Sequence, residues 1–124
     1  MTAAPAEIGQ IAITVSDVPK ALAFYRDALG LPFLFSAGPE LAFLAAGPVR
    51  IMLTTPQGAG AVGANSILYF RVRGIDEAWR QIVARGGAEH RAPHLTAKLP
   101  DHELWTAFVR DPDGNLVALM EERR

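Results

Sequence analysis

Two stretches of the chain share one pattern, a strand of alternating apolar residues followed by a helix with a single apolar stripe. In the first stretch, residues 8–30, Ile11, Ile13 and Val15 alternate with less apolar neighbours. This period of two is typical of a half-buried β-strand. Apolar residues spaced by three and four then predict a helix that packs on a sheet and ends at Gly30.

The second stretch, residues 67–87, repeats the first. Leu68, Phe70 and Val72 alternate before another helix with apolar residues at the same spacing, and Val72 lies 57 residues after Val15. Two equivalent βα units in one chain indicate an internal duplication.

Each predicted helix is followed by three predicted strands. They cover residues 31–37, 40–46 and 49–55 in the first half, and 89–95, 104–110 and 116–120 in the second. Asp111 to Gly114 has the composition of a tight turn with glycine at positive φ, and residues 121–124 are expected to form a solvated tail. Each half therefore follows the order βαβββ, which predicts an α+β fold with helices on one sheet face.

The length of 124 residues predicts a single domain. Within it we predict two modules, about residues 8–55 and 66–121. Residues 56–65 are rich in Gly and Ala and lack periodicity, so we expect them to be a linker between the modules.

Composition narrows the classes of function. The chain has no cysteine, which excludes disulfides and thiolate chemistry, and no apolar run is long enough to span a bilayer. A formal net charge of −1 gives no electrostatic footprint for nucleic acid or for an anionic membrane. We therefore expect a soluble cytoplasmic protein whose partner is a small molecule.

Alternation also assigns the strand residues to two faces. The face expected under the helices is uniformly apolar: Ile11, Ile13, Val15, Ile51, Leu53, Leu68, Phe70, Val72, Val117 and Leu119. The opposite face, called the mixed face below, combines apolar side chains with polar ends: Gln10, Ala12, Thr14, Arg50, Met52, Thr54, Ile67, Tyr69, Arg71, Leu116, Ala118 and Met120. Ligand pockets have this mixed character, and so do solvated or dimer-buried sheet faces.

The duplicated βαβββ pattern, the segment SDVPKALAFYRDALG and the segment FVRDPDGNLVALMEE resemble the vicinal oxygen chelate superfamily. That superfamily includes glyoxalase I, extradiol dioxygenases, methylmalonyl-CoA epimerase and bleomycin-resistance proteins. The resemblance implies two tandem modules that form a curved mixed-sheet cup with helices on its outer face. It also implies a homodimer that involves edge strands or mixed faces, but it does not specify one activity.

Metal-dependent members of the superfamily hold a divalent ion with four inward residues, usually His or Gln, Glu, His and Glu. The resemblance places these positions at Gln10, Met52, Ile67 and Ala118. A thioether is a poor ligand for a hard ion, and Ile and Ala have no donor atom, so only Gln10 can coordinate well. We therefore predict no metal and no other cofactor, with Gln10 as a hydrogen-bonding group in the pocket.

Residues 90–105 carry more polar side chains than a plain hairpin requires. His94 either reaches the pocket or is a half-buried structural histidine. The Asp-His-Glu run at residues 101–103 is either a turn, a histidine base oriented by a carboxylate, or a metal-recruiting group in an unusual place. Trp105 is expected to belong to the core and the pocket wall together, where its ring stacks on a flat ligand.

These observations support three hypotheses of function. The first is a metal-independent binding protein of the bleomycin-resistance type, which holds an apolar or aromatic ligand in the sheet cup with Gln10, Met52, Ile67, Tyr69, His94, Trp105, Ala118 and Met120. The second is a lyase or isomerase resembling glyoxalase I or methylmalonyl-CoA epimerase, with either His94 or the pair of His102 and Glu103 as the acid/base group. The third is a structural or regulatory dimer that binds no ligand.

Overall fold

The computed structural model describes residues 8–56, 61–63 and 67–124. The first module comprises β1 (Gln10–Thr14), α1 (Val18–Leu22), a π-helix (Ala23–Ala28), β2 (Phe33–Ser36), β3 (Leu41–Ala46) and β4 (Val49–Thr54). The second comprises β5 (Leu68–Arg71), α2 (Ile75–Ala84), β6 (Ala88–Lys98), β7 (Glu103–Arg110) and β8 (Leu116–Arg123). Most of the predicted linker lies outside the described residues. No helix in the described ranges is long and apolar enough to cross a membrane.

The strands form two four-stranded mixed sheets of identical topology, ordered β1-β4-β3-β2 and β5-β8-β7-β6. In each sheet the first strand pairs in parallel with the last, and the other pairs are antiparallel. Ala12 lies opposite Met52 in the first sheet, and Tyr69, which is 57 residues after Ala12, lies opposite Ala118 in the second. The α+β prediction with two tandem modules is confirmed.

The helix of the first module changes geometry along its length. Asp17 caps α1 by accepting a hydrogen bond from the backbone N–H three residues later. The chain then widens into the π-helix at Ala23–Ala28, and the N–H of Leu29 bonds to the carbonyl of Phe24, five residues back, at 2.7 Å. Gly30, at φ +89°, ends the helix in the left-handed region that only glycine adopts freely.

The faces expected under the helices form one hydrophobic core that both modules share. All ten residues assigned to this face are buried in the core or pack against it. Phe24 from the first module and Trp79 from α2 belong to the same cluster. Burial of these apolar surfaces is the main stabilising contribution to the fold, and it joins the two modules as well as each helix to its sheet.

The turn between β7 and β8 is a polar junction between the modules. The carboxylate of Asp111, which is buried, accepts hydrogen bonds from the Tyr25 hydroxyl at 2.8 Å, from the Asn115 side-chain amide, and from the backbone N–H groups of Asp113 and Asn115. The backbone N–H of Ser16 donates to Asp113. Burial, reinforced by Asp111, raises the pKa of Tyr25, so its hydroxyl stays protonated and donates.

The expected solvated tail is wrong, because β8 continues to Arg123. The Glu121 carboxylate accepts hydrogen bonds from the N–H groups of Gly74 (2.6 Å) and Ile75 (3.2 Å) and so caps α2. The N-cap residue Gly74 has no side chain that can do this. These N–H groups and Arg123 lower the pKa of Glu121. The guanidinium of Arg123 lies 4.5 Å from the ring centroid of Trp105.

We predict that Tyr25→Phe lowers the free energy of unfolding by about 2 kcal/mol, because a buried carboxylate loses one charge-assisted hydrogen bond. Tyr69→Phe is the matched control, since the Tyr69 hydroxyl has no hydrogen-bond partner among the described residues, and it should change stability by less than about 0.5 kcal/mol. Urea denaturation followed by circular dichroism measures both. Equal stability of the two variants would contradict the role of Asp111 as a junction.

Candidate functional site

Aromatic rings gather around Phe108 on the mixed face of the second sheet. The ring of Tyr69 meets it edge-on at 6.0 Å between centroids, His90 meets it edge-on at 6.3 Å, and His94 stacks on it at 6.5 Å. Phe108 lies opposite Ala118 in the β7–β8 register, which places it on the mixed face. We call these four rings the Phe108 cluster.

The Phe108 cluster changes which residues a ligand on the mixed face would contact first. Ala118 lies between its cross-strand neighbours Tyr69 and Phe108 and is fully buried. Tyr69 is 52% exposed and Ile67, just before β5, is 42% exposed. A ligand that approaches this face therefore meets aromatic rings before it meets Ala118. Met120 is half-buried in the neighbouring position of β8.

The side chain of His94 reaches the mixed face, and both its ring nitrogens have neighbours. Nδ1 lies 3.0 Å from the carbonyl oxygen of Ala92, and Nε2 lies 3.4 Å from the hydroxyl of Thr106. Because a carbonyl oxygen can only accept, Nδ1 is assigned the proton, and Nε2 accepts from Thr106. His94 is half-buried, so part of the residue remains exposed to solvent.

The mixed face of the first sheet carries a second cluster, which we call the Gln10 cluster. Gln10 accepts a hydrogen bond from Nε of Arg50 at 2.7 Å, and its amide nitrogen lies 3.7 Å from the sulfur of Met52. The Arg50 guanidinium lies 5.1 Å from the ring centroid of Phe43, on which Phe35 stacks at 4.6 Å. This cluster combines one cation and one amide with two aromatic rings.

The four positions implied by the resemblance do not fit a divalent ion. The carbonyl oxygen of Gln10 already accepts from Arg50, Met52 offers only a thioether, and Ile67 and Ala118 have no donor atom. Within residues 8–56, 61–63 and 67–124, no three His, Asp or Glu side chains are grouped so that they could hold a metal.

Trp105 and Glu103 lie away from the other predicted site residues. Trp105 pairs with Glu121 across β7 and β8, packs against the core, and donates from Nε1 to Glu103 at 3.1 Å. It therefore lies on the helix side, which agrees with its expected core role but not with a ligand-stacking role on the mixed face. The physical reason is strand alternation: Trp105 shares a face with Ala107 and Val109, whereas Thr106 and Phe108 share the other.

His102 is held by carboxylates, but Glu103 is not one of them. Its Nδ1 lies 2.8 Å from Asp101, and its Nε2 lies 3.7 Å from Glu122 on β8. The side chain is only 13% exposed. The hydrogen bond from His102, followed by that from Arg124, lowers the pKa of Asp101. Asp101 thus orients His102, as one of the sequence hypotheses stated, and Glu122 replaces Glu103 as the second carboxylate.

Sequence reasoning missed Phe108, Arg50 and Glu122 as site residues. The sequence does contain a signal for Phe108. A period of two through β7 places Phe108 on the same sheet face as Thr106 and on the other face from Ala107. Alternation predicts that Arg50 lies on the mixed face but assigns it no role in binding. The charged residues 121–124 predict a solvated tail, and a tail gives no reason to pair Glu122 with His102.

The two clusters do not touch. Among the described residues, no hydrogen bond, ion pair or ring contact joins the Gln10 cluster to the Phe108 cluster. A cavity of about 720 Å³ opens between the modules, lined largely by helix-facing residues of both sheets and by residues of α2. Of the predicted ligand-binding residues, only Tyr69 and Met120 line it.

Comparisons with known proteins agree with this architecture. A curated relative, the uncharacterized protein YraH of Bacillus subtilis (strain 168), is 28% identical over an alignment of 126 positions, and the match covers 89% of this chain and 94% of YraH. The crystal structure of lactoylglutathione lyase from Agrobacterium tumefaciens is 27% identical, covers 95% of both chains and superimposes with a TM-score of 0.75. The crystal structure of a glyoxalase/bleomycin resistance protein/dioxygenase superfamily member from Sphaerobacter thermophilus DSM 20745 is 26% identical, with a TM-score of 0.77, and the match covers 95% of this chain and 98% of that one.

The family comparison covers nearly the whole chain. The sequence model of the Glyoxalase/Bleomycin resistance protein/Dioxygenase superfamily matches residues 7–119, which include the first βαβββ module, the second module up to the first half of β8, and both clusters on the mixed faces. The chain therefore belongs to the glyoxalase/bleomycin resistance protein/dioxygenase superfamily, the vicinal oxygen chelate superfamily that its sequence resembles.

Proposed function

We propose that the protein binds an apolar or aromatic small molecule on its mixed faces and performs this function without a metal. The observation that carries the proposal is the Phe108 cluster, in which Tyr69 stays half-exposed above a sheet whose other face is packed core. Aromatic rings that are open to solvent on one side suit the stacking of a flat ligand. Ligand pockets combine such apolar walls with a few polar groups, which the Gln10 cluster supplies.

Metal independence follows from the chemistry of the donor set. Ile67 and Ala118 cannot coordinate and Met52 offers only a thioether, so Gln10 alone would have to hold a divalent ion. The ligand would instead be held by stacking on Phe108 and Tyr69 and by hydrogen bonds to Gln10, Arg50 or His94. Such a protein would sequester its ligand, as the bleomycin-resistance members of the superfamily do.

A second copy of the chain would complete this site. The Gln10 cluster and the Phe108 cluster lie on different sheets and do not touch within the described part of one chain. Their faces expose apolar side chains, with Phe35 at 45%, Ile67 at 42% and Tyr69 at 52%. We propose a homodimer in which the first sheet of one protomer faces the second sheet of its partner. Native mass spectrometry, which preserves such assemblies, tests this arrangement.

Phe108→Leu tests the binding proposal, because it removes the central ring but keeps an apolar side chain. The neutral aromatic dye Nile red is the probe, and its fluorescence is titrated with protein pretreated with chelator. We expect the affinity for Nile red to fall about three- to tenfold, which corresponds to the loss of the free energy of one aromatic pair.

Phe33→Leu is the matched control, since Phe33 is an exposed phenylalanine opposite Leu44, on the helix side of the first sheet. Its affinity for Nile red should equal that of the unaltered protein. The proposal fails if both variants bind alike, or if the chelator abolishes binding and added Zn²⁺ or Ni²⁺ restores it.

A lyase or isomerase is the second candidate function, and the geometry of His102 is the observation that favours it. A histidine whose Nδ1–H donates to Asp101 presents a basic Nε2, and the distance of 3.7 Å to Glu122 leaves that nitrogen without a short hydrogen bond. An oriented histidine of this kind can accept or donate a proton in acid/base catalysis. The structural relative at 27% identity is a lactoylglutathione lyase.

For this candidate we expect His102→Ala to lower turnover of lactoylglutathione by about a hundredfold or more, the usual contribution of an acid/base group, at an unchanged melting temperature. His94→Ala tests the other histidine by the same two measurements, turnover and melting temperature. His90→Ala is the control, because among the described residues the His90 side chain makes a ring contact with Phe108 and no hydrogen bond or ion pair. No turnover by the unaltered protein, or full turnover by both His102→Ala and His94→Ala, would exclude this activity.

A further inference from the structure

The cavity between the modules has the size and walls of a ligand site. Its volume of about 720 Å³ lies within the usual range of roughly 300–1,000 Å³ for small-molecule pockets. The walls come from the helix-facing sides of both sheets and from α2, and they include Ile11, Ile51, Leu68, Phe70, Ile82 and Leu119. Tyr69, Arg71 and Met120 of the mixed face also line it, whereas Phe108 and the residues of the Gln10 cluster do not.

The charged residues that line this cavity are all cationic. Arg71, at the end of β5, and Arg85, just after α2, both line it, and no Asp or Glu does. Neither guanidinium has a hydrogen bond or ion pair with any described residue. Arg26 and Arg80, by contrast, are paired with acidic neighbours. The cavity thus offers uncompensated positive charge beside an apolar interior.

We infer that the cavity is a second binding site, and that its ligand is a small apolar carboxylic acid. The carboxylate would pair with Arg71 and Arg85, because a planar guanidinium forms strong charge-assisted hydrogen bonds with carboxylates. The apolar part of the ligand would occupy the space between the two sheets. A cavity of this kind favours an acid over a neutral molecule of the same shape.

Such a ligand touches both modules, since Ile11 and Ile51 belong to the first and Leu68 and Leu119 to the second. A molecule that binds the folded state alone stabilises it by mass action. The ligand would therefore raise the melting temperature and hold the modules together. This inference does not depend on the function proposed for the mixed faces: Tyr69 borders both places, but Phe108, the two histidines of its cluster and the Gln10 cluster do not line the cavity.

Decanoate and decanol, which share an alkyl chain and differ in charge, test the inference by titration calorimetry. We expect decanoate to bind at least tenfold more tightly than decanol, as a charge-assisted pair predicts. The double variant Arg71→Gln/Arg85→Gln should remove this preference and leave decanol binding unchanged. Arg80→Gln, which alters an arginine of α2 outside the cavity, is the control and should keep the preference.

Ala78→Leu fills the cavity from α2 and should weaken both probes about tenfold or more. Ala84→Leu, the same change at an exposed position of the same helix, should weaken neither. Phe108→Leu should leave decanoate binding unchanged, which separates this site from the mixed faces. Equal affinity for the two probes, a preference that survives the double variant, or a loss of decanoate binding in Phe108→Leu would each overturn the inference.

Discussion

The hydrogen bond from Tyr25 to the buried carboxylate of Asp111 is the constraint on which the arrangement of the modules depends. Asp111 is ordered by its own turn, through Asp113 and Asn115, and Tyr25 comes from the helix of the other module. A buried carboxylate without these donors would cost several kcal/mol. The turn of the second module is therefore fixed against the helix of the first, and the apolar faces of both sheets close into one core.

A shared core on the helix side leaves the mixed faces as the open surfaces of the chain. That is why Tyr69 and Ile67 remain exposed while Val15, Leu53 and Val109 are buried. It also explains why helix-facing residues of both sheets form much of the wall of the inter-module cavity, where two apolar faces meet without filling all the space between them. The fold thus presents two chemically different places for small molecules: aromatic open faces and a cationic apolar cavity.

Local patterns were enough to predict the modules, the helix-facing residues and the turn at Gly114, because these depend on alternation and on the φ requirement of glycine. They failed where tertiary contacts decide the structure. Residues 121–124 look like a charged tail, but Glu121 supplies the cap that Gly74 cannot, which extends β8. Trp105 lies on the helix side because the alternation of β7 puts it on the same face as Ala107 and Val109. The pairing of His102 with Glu122 joins two residues that are distant in sequence.

We propose that this protein binds a small molecule between two copies of the chain without a metal. The decisive measurement is native mass spectrometry of the purified protein, with elemental analysis for Ni, Zn, Fe, Mn and Co. We expect the mass of two chains, an accompanying organic mass and metal far below one equivalent. Near-stoichiometric metal, or a single-chain mass at micromolar concentration, would contradict it.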